Sequence, residues 1–454
     1  MFNAPPASAP VSPVSIILAE AAANGALVLC VGAGLSMADD ASLPSGAKLA
    51  DQLNGRFAGV SGYKAPENTS DLIAVADAAE GQQGGGEALR YEVLKLAKFT
   101  RAIPNYGHQA TALLLAEGAT MVLSWNWDTC IERALPEGEG LQVAKTAEDM
   151  AQLMRPQLAK VHGCATMPPS LLITSEHLKQ PPPWANNTFA DRLRASAIVF
   201  IGIGDVADYA QRRITEMIED LRVVDLRVVS PIIRSKWDGS VWKKVAPQLA
   251  DPDDDRRFEE YGDEFLDDLA RGWVRELFNQ AAVLSEGLKP EVAAALETVV
   301  DALSSRSAIE VMRWCRSATA MPRSGVSAVR STATLNAVLA TAMLAAQGGK
   351  AVAVPRRACC RVGDDEVEVL IVDELTPASD VRREAERRVS LLVTNDQLRA
   401  AGDVRFLVIG TTIGELSDPP DIGPGVGDDA DIFDGPLARR PTFIAAAPLL
   451  KDAA

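Results

Sequence analysis

In Ala26–Ser36, ALVLCVGAGLS, an unbroken apolar run from Ala26 to Val31 stops at Gly32-Ala33-Gly34. A run apolar on both faces suits a parallel strand buried between two layers. Glycines directly after such a strand let backbone approach a phosphate closely, and a helix start beyond them supplies amide donors. Glycine turns also serve as plain punctuation after strands, so these residues leave both a ligand and a turn open.

Working outward, residues 12–23 have helical character, through VSIILAEAAANG (14–25), which ends at Gly25, a C-cap type. Helical spacing continues over 47–57, 71–79, 87–98 and 106–117, with the loop GQQGGG at 81–86. Further apolar runs at 119–124, 158–161, 197–201 and 226–229 are separated by helical or loop segments. Strands alternating with helices point to an α/β fold with a Rossmann-like parallel sheet flanked by helices. Such sheets bind ligands beyond the carboxyl ends of their strands.

Polar motifs stand at those ends. Ser124-Trp125-Asn126-Trp127-Asp128 follows the second run, where an amide can hold a sugar hydroxyl or a water. Alternatively Asn126 and Asp128 cap a helix over 129–135, which accounts for Asp128 more readily than for Asn126. Lys160-Val161-His162-Gly163 follows the next run, and Gly202-Ile203-Gly204-Asp205-Val206-Ala207-Asp208 follows the run at 197–201. The chain has three histidines. His108 lies on a helix that Asn105 can cap and reads as structural; His177 reads as part of a surface helix; His162 is the candidate for chemistry.

Composition sets the outer limits. A chain of 454 residues predicts two or three domains, and 47% apolar with 23% charged residues excludes dominant disorder. No window has the roughly 18–20 apolar residues of a membrane span. The first residues, MFNAPPASAPVSPVS, lack a secretory signal and read as a flexible leader over 1–14. A net charge of −16 opposes wrapping nucleic acid with the whole surface. Six cysteines without a CxxC pair suggest free thiols and a cytoplasmic protein. The pattern changes near 285. Beyond it, helices over 290–318 and 326–346 precede strand candidates at 351–354, 366–373, 389–393 and 404–409, a mixed α/β domain over 286–454. Residues 306–361 hold nine Lys/Arg against the single acid Glu310, whereas 362–454 hold nine against nineteen acids.

The order GAGLS, PNYGHQATALL, SWNWD, KVHG and FIGIGDVAD resembles the sirtuin-like family over about residues 15–280. It is most similar to the zinc-less sirtuin-like NAD hydrolases of bacterial antiphage defence. The resemblance implies a catalytic domain over 15–285 that takes NAD+ as substrate. It assigns Gly32, Ala33, Gly34 and Ser36 to the glycine-rich NAD loop and Asn126 and Asp128 to the ribose. Gly202 and Gly204 fall to cofactor binding, with either Asp205 or Asp208 near the adenosine side, and Asn126 and His162 to catalysis. The deacylases of the family carry a four-cysteine zinc module after the histidine motif, but between Gly163 and Gly202 this chain has only Cys164. No zinc is therefore expected. Leu43-Pro44-Ser45-Gly46 stands where those enzymes keep a phenylalanine-arginine pair, and His177 departs from the segment that follows the family histidine.

The expected function is hydrolysis of NAD+ to nicotinamide and ADP-ribose, as an NAD-depleting effector of abortive infection. A protein deacylase or ADP-ribosyltransferase and a non-catalytic nucleotide sensor are the rivals. A toxic activity needs control. Residues 286–454 are thus expected to regulate or assemble the protein, as a homo-oligomer, with a separate regulatory subunit, or both. Nucleic acid enters only indirectly, and no membrane is involved. The stretch 332–346, TATLNAVLATAMLAA, is apolar nearly all round and must be buried in its own domain or against another chain.

Overall fold

The apolar run forms β1 (Leu27–Val31), and all five of its residues are buried. With β2 (Met121–Ser124), β3 (Val143–Ala144), β4 (Leu158–Lys160), β5 (Ala197–Ile201), β6 (Asp225–Val229) and β7 (Arg257–Phe258) it builds a seven-stranded sheet. The strand order is β3-β4-β2-β1-β5-β6-β7, and every pairing is parallel. The expected Rossmann-like parallel sheet flanked by helices is present. The sequence runs beginning at 119, 158, 197 and 226 supply β2, β4, β5 and β6. The two-residue strands β3 and β7 are too short to leave a periodic signal. β1 sits between β2 and β5, so the loops after these strands diverge from one point at the carboxyl edge, where α/β sheets open a crevice.

The computed structural model describes residues 2–38, 40–81, 85–135, 141–152, 158–192, 197–204, 211–212, 214–216, 225–230, 241–246, 249, 256–318, 330–346, 350–351, 358–362, 365–372, 383–388, 404–410 and 442–444. They fall into two units, Met1–Asn3 with Val11–Gly272 and Ala4–Pro10 with Trp273–Ala454.

In the first unit, alternate strand residues Val28, Cys30, Ile198 and Phe200 pack with Phe189, Ile214 and Trp242 into one core. A second core lies among the helices Gly46–Phe57, Leu72–Glu80 and Gly85–Leu96, where Leu49, Leu53, Phe57, Val75 and Val93 meet Cys130 and Ile173. Each fully buried side chain of this size contributes about 1.5–3 kcal/mol. These helices start where the sequence offers caps: the Ser45 side chain accepts from the Lys48 amide, and Asp71 accepts from Ile73 and Ala74. Ser12 likewise caps the helix Pro13–Ala23.

The second unit is mixed α/β. Its sheet runs β12 (Thr442–Ile444), β11 (Val404–Gly410), β10 (Asp365–Val372), β9 (Cys359–Val362) and β8 (Lys350–Ala351), in that spatial order. β10, β11 and β12 are parallel, while β8, β9 and β10 pair antiparallel. The single helix expected over 290–318 is two, Pro290–Ser304 and Ala308–Ser317. Ser307 and Glu310 form a capping box that starts the second helix, a local signal that apolar periodicity conceals. The strand candidate at 389–393 lies outside the described residues. The helix Arg330–Ala346 carries the Ala-rich stretch and is buried throughout 334–344, packed on Pro290–Ser304 and on β8, β9 and β10. Its apolar circumference is thus covered within its own unit. Ala7 and Ser8 donate backbone hydrogen bonds to the carbonyls of Arg306 and Ser304. Among the described residues no helix is long and apolar enough to cross a membrane.

Candidate functional site

The loops after β1 and β5 touch backbone to backbone. The Gly32 amide donates to the Ile201 carbonyl at 2.9 Å and the Gly34 amide to the Gly202 carbonyl at 2.8 Å. A Cβ on Gly34 would lie 2.6 Å from the Gly202 Cα, and Gly202 has φ +63°. The glycines are therefore required by the meeting of two loops, before any ligand is considered. This contact turns Ala33–Ser36 into a single 3-10 turn with the Ser36 side chain buried.

Ser36 is the hub of the site. Its hydroxyl donates to Asp128 Oδ2 at 2.9 Å, lies 3.0 Å from His108 Nε2, and accepts from Asn126 Nδ2 at 3.0 Å. Burial works to raise the Asp128 carboxyl, but the Lys160 ammonium, His108 and the hydrogen bonds from the Cys130 amide and Ser36 together outweigh it and hold the group below the usual range. An ionised carboxylate can only accept, so the Ser36 proton is committed to it, and His108 must donate from Nε2. His108 Nδ1 accepts from the Asn105 amide at 3.2 Å, which fits the same tautomer. Burial lowers the His108 pKa to about 4, so the ring is neutral at pH 7. Asn105 in turn caps the helix Tyr106–Ala116 and donates to the Leu35 carbonyl at 2.7 Å, tying that helix to the glycine turn.

The same bonds orient Asn126. Its amide nitrogen donates to the Gly32 carbonyl and to Ser36, both at 3.0 Å. Both protons are then engaged, and Oδ1 is left buried without a hydrogen-bond partner. An orphaned acceptor at a strand end is what a ligand hydroxyl or a water would satisfy. Asp128 Oδ1 accepts from the Cys130 amide at 2.9 Å. Asp128 therefore serves both the turn and the hub, whereas Asn126 caps nothing. The helix that follows is only Cys130–Arg133.

His162 stands just past β4. Its carbonyl accepts from Trp127 Nε1 at 3.1 Å and from the Leu172 amide at 3.0 Å. The ring meets Trp125 edge-on, with centroids 6.0 Å apart. Part of the residue reaches the surface, but Nε2 is shut from solvent, and burial pushes the pKa down to about 3. The ring is thus neutral at pH 7, and the same burial makes it a weaker base than a free imidazole. His177 lies apart, in the helix Ser175–Lys179, with Nε2 3.2 Å from the Arg90 guanidinium.

One group of metal-donor types converges among the described residues: the ligand atoms of His108, Asp128 and Cys130 lie within 4.8 Å of one another. Hydrogen bonds to Ser36 and to the Cys130 amide already engage His108 and Asp128, and burial together with Asp128 pushes the Cys130 thiol up, away from a thiolate. Hydrogen bonding accounts for this group.

Comparison with known proteins follows from this geometry. The stretch from 120 to 223 matches a family described as SIR2-like domain. No protein of curated function matches the chain. Among solved structures, an ADP-ribose complex of a substituted Sir2 homologue is 19% identical over 55% of this chain and 92% of its own, with a TM-score of 0.34. A Sir2 homologue in complex with NAD is 17% identical over 57% and 93%, with a TM-score of 0.31.

The SIR2-like segment contains β2, Asn126, Asp128, His162, Gly202 and Gly204. Gly32, Ala33, Gly34, Ser36 and His108 precede it, and hydrogen bonds join Gly32, Ser36 and His108 to it. Asp205 and Asp208 lie outside the described residues. Two participants were not singled out by sequence for this hub: His108, read only as structural, and Lys160, whose Nζ donates to the Asp128 carbonyl. Both stand inside motifs already noted, in Pro104-Asn105-Tyr106-Gly107-His108 and in Lys160-Val161-His162.

Proposed function

We propose that this chain hydrolyses the nicotinamide–ribose bond of NAD+, releasing nicotinamide and ADP-ribose. The observation that carries the proposal is the buried, unpartnered Asn126 Oδ1, fixed by Ser36 and Gly32 at the carboxyl edge of a parallel sheet. The match to a SIR2-like domain around it agrees with a dinucleotide. Gly32, Ala33, Gly34 and Ser36 would face the phosphate and ribose, Asp128 would hold the hub, and Gly202 and Gly204 would lie on the adenosine side, with Asp205 or Asp208.

Cleavage passes through an oxocarbenium-like state. The C1′–N bond breaks with its electron pair leaving on nicotinamide, and a water oxygen bonds to C1′. Asn126 Oδ1 accepts from a ribose hydroxyl or from that water, and the neutral His162 ring takes the water's proton. The five-motif resemblance extends the proposal to an NAD-depleting effector of bacterial antiphage defence, controlled through self-assembly or a separate subunit.

Incubating the chain with NAD+ alone tests this. Nicotinamide and ADP-ribose should appear without any protein substrate, and His162→Ala should slow their release by about 100-fold or more. Nicotinamide release that strictly requires an acylated peptide would replace this proposal with deacylation, and tight binding without turnover would leave a sensor.

A further inference from the structure

The hub contains a buried charge that hydrolysis as described does not use. Lys160, the last residue of β4, is 1% exposed, and its Nζ donates to the Asp128 carbonyl. Glu132 Oε1 lies 3.6 Å from that nitrogen. Both Glu132 carboxylate oxygens are shut from solvent and accept no hydrogen bond, so among the described residues Lys160 is their counter-charge. Burial disfavours the ammonium, but Glu132 and then Asp128 outweigh it and raise its pKa, so it stays charged.

A side chain that only filled this space would carry no desolvation cost; methionine would do the same. The charge has a target instead. The loop between β2 and the helix Cys130–Arg133 is held by amides of Trp125 and Thr129, which donate to the Val31 and Phe99 carbonyls, and by three of its own carbonyls. Ser124 accepts from the Val161 amide at 3.0 Å and Trp127 from the Ala165 amide at 2.8 Å, both backbone bonds that any sequence can make. The third, on Asp128, depends on the Lys160 side chain. Asn126 and Asp128 both sit on this loop, so the tie at Asp128 bears on the direction of each.

We propose that Lys160, paired with Glu132, is a positioning residue whose ammonium clamps the Asp128 carbonyl and so sets where the Asn126 amide oxygen faces the bound nucleotide. The role in turnover rests on the NAD+ proposal; the clamp on the loop does not.

The test uses the full chain carrying Lys160→Met together with Glu132→Gln, which removes both charges and leaves no lone buried carboxylate. Amide hydrogen exchange of the free protein is read first. Exchange over residues 124–130 should quicken about tenfold, with the rest of the sheet unchanged and the unfolding midpoint kept within about 3 °C. In steady-state NAD+ hydrolysis kcat should fall about 30-fold while KM moves less than about threefold, the mark of lost transition-state contacts. Unchanged exchange over 124–130, or faster exchange spread evenly over the whole sheet, overturns the proposal. If the wild-type chain releases no nicotinamide, the NAD+ proposal falls by itself and the exchange result still decides the role of Lys160.

Discussion

At the carboxyl edge of the first sheet, Lys160 is buried beside Glu132 and Asp128; in the second unit Arg388 is nearly buried beside Glu368 and Glu384. Arg388 directs its donors to neighbours of its own unit. Nε reaches Glu384 at 2.9 Å, while Nη1 lies 3.6 Å from Glu368 and donates to the Ser317 carbonyl at 2.6 Å. That arrangement stitches residues 383–388 and the helix Ala308–Ser317 onto β10. Around Lys160 the outcome is different, because the loop that it ties carries Asn126, whose buried Oδ1 has no hydrogen-bond partner at the carboxyl edge of a parallel sheet. Buried charge therefore does not by itself mark a site.

The comparison breaks most sharply at Asn126. Asn126→Ala deletes the orphaned oxygen together with the bonds to Gly32 and Ser36; nicotinamide release should fall about 1000-fold, roughly 4 kcal/mol in barrier, while folding should lose only about 1–3 kcal/mol. A variant that keeps more than about a tenth of wild-type kcat/KM would show that the unsatisfied acceptor is incidental.

Arg388→Met should do the opposite. It removes the ion pairs to Glu384 and Glu368 and the bond to the Ser317 carbonyl, and should cost about 3 kcal/mol in denaturant unfolding, while NAD+ affinity stays at the wild-type value. A loss of affinity with unchanged stability would erase the distinction between the two networks.

The smallest effect comes from His108. Its folded pKa is lowered to about 4 against an ordinary 6.5, so the unfolded chain takes up the proton first as pH falls. Its contribution is complete above pH 6.5 and is lost progressively down to about pH 4. Between pH 8 and pH 5 it should account for roughly 2 kcal/mol of lost stability. His108→Gln should flatten that part of the pH–stability curve measured by denaturant unfolding, and a curve of unaltered slope would show that His108 does not titrate as described.

Much of the first unit was legible because its cues are local. An apolar run of strand length, a glycine stop, and Ser or Asp at a helix start each act within a few residues, and β1, β2, β4 and β5 appear where those cues stand. The capping box at Ser307 and Glu310 was equally local but lay inside a continuous helical pattern, so the break between Ser304 and Ala308 passed unseen. β3 and β7, two residues each, exist only as edges laid against neighbours.

The sequence by itself determined that polar motifs would gather at the carboxyl ends of parallel strands, because strand polarity in such a sheet carries every following loop to the same edge. Tertiary structure alone decided what those motifs become. Ser36 meets His108 across 72 positions and Asp128 across 92, and Asn126 reaches the Gly32 carbonyl across 94. No periodicity records which proton goes to which acceptor over such separations. The tautomer of His108, the charge kept on Lys160 and the direction of the Asn126 amide follow from hydrogen-bond geometry in a buried space, where which proton meets which acceptor is set by the neighbours that the fold brings together.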